Sequence, residues 1–181
     1  MKIVALGGSL RINSFSAAAL RASLAVAAQL GATTEMLDLR LLDLPLYVPD
    51  LPVNSLNSAA QDAVGKLIES CRSADVMIWA SPTYHGAMSG ALKNAIDYMQ
   101  HLAGDPVPYL QGKAVGIISI ADPAPLANMA GCVHELRAWL APTRLTLDSQ
   151  DFSPSLELTD ERATRRITRL VEELLKFRTV T

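Results

Sequence analysis

The sequence predicts an α/β fold: an open, doubly wound parallel sheet of five strands with helices on both faces. Three observations predict it. Strand-like and helix-like segments alternate along the 181 residues, the arrangement that builds a parallel sheet from crossover units. Several strand-like segments are short and continuously apolar, as strands buried on both faces must be. The first of them runs directly into a Gly/Ser/Arg loop with a helix behind it, the kind of unit with which such sheets hold ligands.

The elements follow in order. Residues 2–6 are the first apolar strand. Residues 16–30 are rich in Ala and Leu and read as a helix, with Gly31 as the stop beyond it. The many alanines let this helix lie close to a sheet. Residues 33–39 form the second strand, and residues 42–56 a connection broken by Pro45, Pro49 and Pro52. Ser58-Ala-Ala-Gln61 has the pattern of a capping box, and Ala60, Val64, Leu67, Ile68 and Cys71 behind it share one helical face. Residues 75–80 are a short buried strand, and a loop at 81–89 leads into a helix at 90–102. Residues 113–120 are another buried strand, 126–140 a helix stopped near Pro142, and 143–147 the last strand. Thr159 caps a final helix, with Asp160 and Glu161 suited to its dipole. Its apolar stripe is Ala163, Ile167, Leu170, Val171, Leu174 and Leu175. Two strand orders fit this alternation, 3-2-1-4-5 and 2-1-3-4-5, and either places ligands at the carboxyl ends of strands. No repeat or linker interrupts the pattern, so residues 1–181 are expected to form a single domain.

Composition narrows the function. Apolar residues make up 50% of the chain, enough for a sizeable core. The net charge of −2, without a long run of either sign, points away from nucleic acid. No basic-then-apolar leader and no apolar stretch of spanning length is present, so no membrane association and a cytoplasmic location are expected. Cys71 and Cys132 lie far apart and read as buried thiols. His85, His101 and His134 form no metal-ligand spacing, so no metal is expected.

Two loops carry chemistry. In the first, Gly7-Gly8 lets the backbone approach a ligand closely. Ser9, Asn13, Ser14 and Ser16 offer short polar side chains, and Arg11 offers a planar cation with paired donors. The helix opening near Phe15 turns free N–H groups and a partial positive charge toward the same place. The loop lacks the Lys of a nucleoside-triphosphate P-loop and the third Gly of a dinucleotide fingerprint. A single terminal phosphate ester fits it better; the competing reading is a plain strand–helix turn whose serines only cap the helix. The second loop begins at Ser81 and runs through Pro82, Thr83, Tyr84, His85 and Gly86 to Ser89. Tyr84 can lie against a flat ring, and exposed peptide N–H groups can bond the edge of a heterocycle. The competing reading makes Tyr84 and His85 ordinary loop residues.

Together the two segments resemble the NADPH-dependent FMN reductase family of the flavodoxin-like superfamily. G-S-L-R-x-x-S-x-S, here Gly8 to Ser16, matches its phosphate loop, and S-P-x-Y-x-x-x-x-x-G-x-L-K-N-A-I-D, here Ser81 to Asp97, matches its second signature. Leu44-Pro-Leu-Tyr-Val-Pro-Asp50 looks like the family's loop after strand two. The resemblance implies a flavodoxin-like five-stranded sheet of order 2-1-3-4-5, with FMN at its carboxyl edge and NAD(P)H as co-substrate. Carried over, Ser9, Arg11, Ser14 and Ser16 would hold the phosphate, and Pro82, Thr83, Tyr84, His85 and Gly86 would border the isoalloxazine. Many members have a Gly-rich loop after strand four; this chain has Ser119-Ile-Ala-Asp122-Pro123, so Ser119 and Asp122 are the candidates there. Hydride would pass from nicotinamide to flavin and on to a small-molecule acceptor such as a quinone, an azo compound, free flavin or a metal oxyanion. No catalytic side-chain acid is then needed. The alternative is a flavodoxin-type electron carrier without NAD(P)H turnover. A homodimer or homotetramer is also implied, and the apolar residues of the 44–51 connection are a physical motive for it.

Overall fold

The computed structural model describes residues 1–177. Five parallel strands form one sheet in the order β2-β1-β3-β4-β5. They are β1 (Lys2–Gly7), β2 (Thr33–Asp38), β3 (Val76–Pro82), β4 (Ala114–Ile120) and β5 (Trp139–Leu147). This is the flavodoxin-like member of the two orders. The six α-helices are α1 (Phe15–Gln29), α2 (Leu39–Leu42), α3 (Ser58–Ser73), α4 (Gly90–Tyr98), α5 (Ala124–Glu135) and α6 (Glu161–Lys176).

Each face of the sheet has its own core. On one face α1 and α6 pack over Ile3, Ala5, Ile78, Ile118 and Leu145. Buried Ala18, Ala19 and Ala27 bring α1 close, as its composition predicts. On the other face α3, α4 and α5 cover Val4, Leu6, Met77, Trp79, Val115 and Ile117. β1, β3 and β4 are buried almost throughout, which is why they read as unbroken apolar runs. At Gly116, where the β4–β5 register shifts, a Cβ would stand 2.9 Å from a methyl of fully buried Leu170. A side chain there would force the Leu170 side chain to move.

Several boundaries differ from the sequence reading. α5 ends at Glu135 rather than 140, because the chain reverses at Arg137, whose φ is 60°. Pro142 therefore stops no helix and lies inside β5. It is tolerated because β5 is an edge strand with no outer neighbour to miss its N–H. α3 has no capping box: Asn57 Oδ1 accepts from Ala60 N at 2.9 Å, while Gln61 Nε2 donates to Leu56 O at 2.7 Å. α6 is capped by Asp160, not Thr159. The helix expected over 90–102 changes at Met99 into a 3-10 turn, and α2 is a short helix in the expected connection. That connection is divided. Tyr47 packs edge-on against Tyr98, and Asn94 holds it through Tyr47 N and Pro45 O, both at 2.8 Å. Leu46, Val48 and Leu51 stay exposed.

Gly116→Ala should lower stability by about 1–3 kcal/mol in urea unfolding, the usual size of overpacking. An unchanged midpoint would mean that α6 is free to shift.

Candidate functional site

A cleft of about 220 Å³ opens where the carboxyl ends of β1, β3, β4 and β5 meet. β1 and β3 flank the point at which the strand order reverses. The cleft is lined by Ser9, Arg11, Ser14 and Ser16 from the loop after β1 and by Pro82, Thr83 and Tyr84 from the loop after β3. Ile120 and Ala121 come from the loop after β4, and Asp148 and Ser149 from the loop after β5.

The first loop is packed below and open above. Gly8 N donates to Ala80 O at 2.9 Å, and the Gly8 carbonyl accepts from the Ser89 hydroxyl. A Cβ at Gly8 would lie 2.8 Å from both Leu92 Cβ and Ser89 Oγ, so the tight approach demands glycine. Beyond it Ser9 Oγ accepts from Arg11 N at 3.3 Å, and Ser14 Oγ caps α1 through Ala17 N at 3.1 Å. The serine that caps the helix is thus one of the cleft's own hydroxyls. Ser16 is nearly buried, yet its hydroxyl bonds no protein group among the described residues. The Arg11 guanidinium likewise has no protein partner there. Of the first-turn N–H groups of α1, those of Phe15 and Ser16, both cleft-lining residues, have no protein acceptor among the described residues. The Arg11 cation, the Ser16 hydroxyl and the loop's free N–H groups together form a donor set that fits an anion with several oxygens.

The second loop has a defined shape. Tyr84 and Ala87 exchange both backbone hydrogen bonds at 3.0 Å, closing a two-residue turn over His85 and Gly86. Their φ values of 51° and 77° make it type I′. Two of the four N–H groups are spent inside the turn, leaving those of His85 and Gly86 for a ligand. Tyr84 presents a half-exposed ring to the cleft. Thr83 lines the cleft as well, but its hydroxyl donates to Ile120 O at 2.9 Å and Asp122 O at 3.2 Å, tying the second loop to the third.

The third loop is only partly where the sequence reading places it. Ser119 does not reach the cleft: it is fully buried within the sheet, bonded to Thr146 Oγ1 at 3.0 Å. A residue one position short of the strand end points into the sheet's packing, not toward the edge. Asp122 is exposed, and its carboxylate accepts from Ala124 N at 2.7 Å, at the first residue of α5. Ala121 lines the cleft instead, with φ 72° and its N–H donated to Leu147 O at 2.8 Å. Asp148 and Ser149 also line the cleft and were not foreseen, because they follow the last strand by chain order alone. The ring contact between Phe15 and Phe152, centroids 5.4 Å apart, holds that segment against the start of α1.

A larger hollow lies elsewhere. A groove of about 740 Å³ runs between α4 and α5, lined by Met88, Ile96 and Leu136 among others. Its cation, Lys93, is already paired with Asp97 at 2.5 Å. Cys132 lines this groove half-buried, rather than fully buried as expected, whereas Cys71 is buried in the core. Burial pushes the Cys71 thiol up to about 12 and also raises that of Cys132. Both are protonated at neutral pH and poor nucleophiles.

The left-handed backbone of His85 costs a side chain about 1–2 kcal/mol, partly offset in glycine by chain entropy. His85→Gly should therefore raise stability by about 0.5–1 kcal/mol in thermal or urea unfolding. A loss of stability would mean that the imidazole makes a compensating contact.

Comparison with known proteins places the chain in a family. The family model for NADPH-dependent FMN reductase matches residues 1–153. The FMN-dependent NADPH-azoreductase of Staphylococcus haemolyticus is 27% identical over 153 residues, covering 75% of this chain and 78% of that protein. Its Staphylococcus aureus counterpart is 30% identical over 119 residues, spanning 61% of this chain and only 60% of the relative. In structure the chain is similar to FerB, a flavoenzyme NAD(P)H:(acceptor) oxidoreductase from Paracoccus denitrificans, with a TM-score of 0.77 at 19% identity, covering 97% of this chain and 96% of that one. With its sheet order, its two loops and a family match over most of its length, the chain belongs to the NADPH-dependent FMN reductase family.

Proposed function

We propose that this chain is an NAD(P)H-dependent FMN oxidoreductase that passes reducing equivalents to a small-molecule acceptor, a quinone or an azo compound being the foremost classes. The observation that carries the reading is the unengaged donor set of the first loop: the Arg11 guanidinium and the Ser16 hydroxyl beside the open end of α1. Ser9, Arg11, Ser14 and Ser16 would hold the FMN phosphate. Pro82, Thr83, Tyr84, His85 and Gly86 would border the ring, with the His85 and Gly86 N–H groups as donors to its polar edge. The cleft is smaller than a whole-ligand pocket of about 300–1,000 Å³, which suits phosphate and ribityl inside it and a ring lying at its mouth along Tyr84. When bound, FMN supplies the hydride chemistry, and the chain's own residues bind, orient and stabilise growing charge. Asp122 belongs to the support of the third loop rather than to ligand contact, and Ser119 to the sheet.

Family membership favours this reading over the electron carrier. Relatives named for azo reduction and a neighbour named for general acceptors support a broad acceptor class. Assembly as a homodimer or homotetramer is part of the proposal, supported by exposed Leu46, at 78%, and Leu41, at 70%, around the Pro-rich connection. A cytoplasmic setting is part of it too; no helix among the described residues is long and apolar enough to cross a membrane.

Fluorescence titration should show FMN bound more tightly than riboflavin, and Arg11→Ala should weaken FMN by about 1.5–3 kcal/mol, the size of a charged hydrogen bond. Equal affinity for the two flavins would remove the phosphate reading. In steady-state NADPH oxidation with a quinone, replacing Cys71 and Cys132 together by Ser should change turnover by less than about tenfold, or 1.4 kcal/mol. A folded, yellow and inactive double variant would require a thiol step.

A further inference from the structure

We infer that Ser89 is a positioning residue for phosphate recognition, acting on the first loop from the far end of the second. The inference rests on the FMN reading of the cleft. Ser89 lies at an unassigned position of the family pattern and does not line the cleft. Its side chain is buried at the N-terminus of α4, where it makes two bonds at once. Its Oγ accepts from Leu92 N at 3.1 Å, which caps the helix, and donates to the carbonyl of Gly8. Its own N–H donates to Ser81 Oγ at 2.9 Å, and that hydroxyl donates to Pro82 O at 2.7 Å. Ser89 is thereby fixed from both sides before it touches the first loop.

The consequence follows from peptide geometry. The Gly8–Ser9 peptide is trans and planar, so its C=O and N–H point in opposite directions. Ser89 draws the Gly8 carbonyl into the packing beneath α4. The N–H of Ser9 must then point away from α4; it has no protein acceptor among the described residues, and Ser9 is itself one of the residues that line the cleft. Gly8 has no side chain to hold this plane, and glycine alone would let it flip. The Ser89 hydroxyl supplies the orientation that the residue type withholds. One serine thus presents a backbone donor to an anion and joins the two ligand loops.

The role separates from simple helix capping by comparing two flavins that differ only in the phosphate. For wild type, Ser89→Ala and Ser89→Thr, affinities for FMN and riboflavin are measured by fluorescence quenching. Asn57→Ala, which removes the equivalent cap of α3 away from the cleft, is the control. Ser89→Ala should weaken FMN by about tenfold or more and riboflavin by less than about threefold, a loss typical of one hydrogen bond to a charged group. Ser89→Thr, which keeps the hydroxyl, should restore the wild-type ratio. Asn57→Ala should lower the melting temperature and leave the ratio unchanged. Equal weakening of both flavins by Ser89→Ala, or of neither, overturns the inference. A second measurement needs no variant and no flavin: titrating wild-type protein with inorganic phosphate should shift the Ser9 amide resonance, and an unmoved Ser9 amide overturns the inference. Wild-type protein whose Ser9 amide responds to phosphate but which binds FMN no better than riboflavin would overturn the FMN reading instead.

Discussion

The absence of room at Gly8 is the constraint on which the site depends. Any side chain there would strike Leu92 and Ser89 at the start of α4. Because Gly8 has none, β1 delivers its loop directly against the end of β3, and Gly8 N pairs with Ala80 O as though the sheet continued one residue further. The two ligand loops then share a floor. The first sets its serines and Arg11 above that floor, and the second sets its type I′ turn beside them. A buried polar network of this kind is worth having only when every member is satisfied. Ser81 and Ser89 meet that condition.

The larger groove between α4 and α5 offers an anion less than the cleft does. Its volume exceeds that of the cleft, but its cation is already paired. The cleft is smaller and holds donors with no protein partner among the described residues. Donors converging on one cleft, a cation among them, mark an anion site better than volume does. Burial raises the pKa of both thiols, which keeps them protonated at neutral pH.

Much of this was legible in the sequence where local chemistry decides the outcome. The buried strands announce themselves because both their faces are covered. Gly31 terminates α1 with φ 85°, as a C′ glycine should. The serine and arginine loop follows β1 and lines the cleft. Errors gathered where several residues could serve equally: Asn57 rather than Ser58, and Asp160 rather than Thr159, took the caps. Pro142 misled because its meaning depends on whether a strand is at the edge, which pattern alone does not reveal. Ser119 and Ser89 show the deeper limit. A serine near a strand end points either into the sheet or toward the ligand according to one residue of register. A serine at a helix start gives no sign that its second bond crosses 81 positions to Gly8.

The central claim, that the cleft holds FMN for reduction by a pyridine nucleotide, is tested most directly by anaerobic stopped-flow spectroscopy of the FMN-loaded protein mixed with NADPH. The oxidised flavin's visible absorption should be lost rapidly and return when a quinone is added. Absorption that persists in the presence of excess NADPH, on protein shown to hold FMN, would contradict the account and leave the chain an electron carrier.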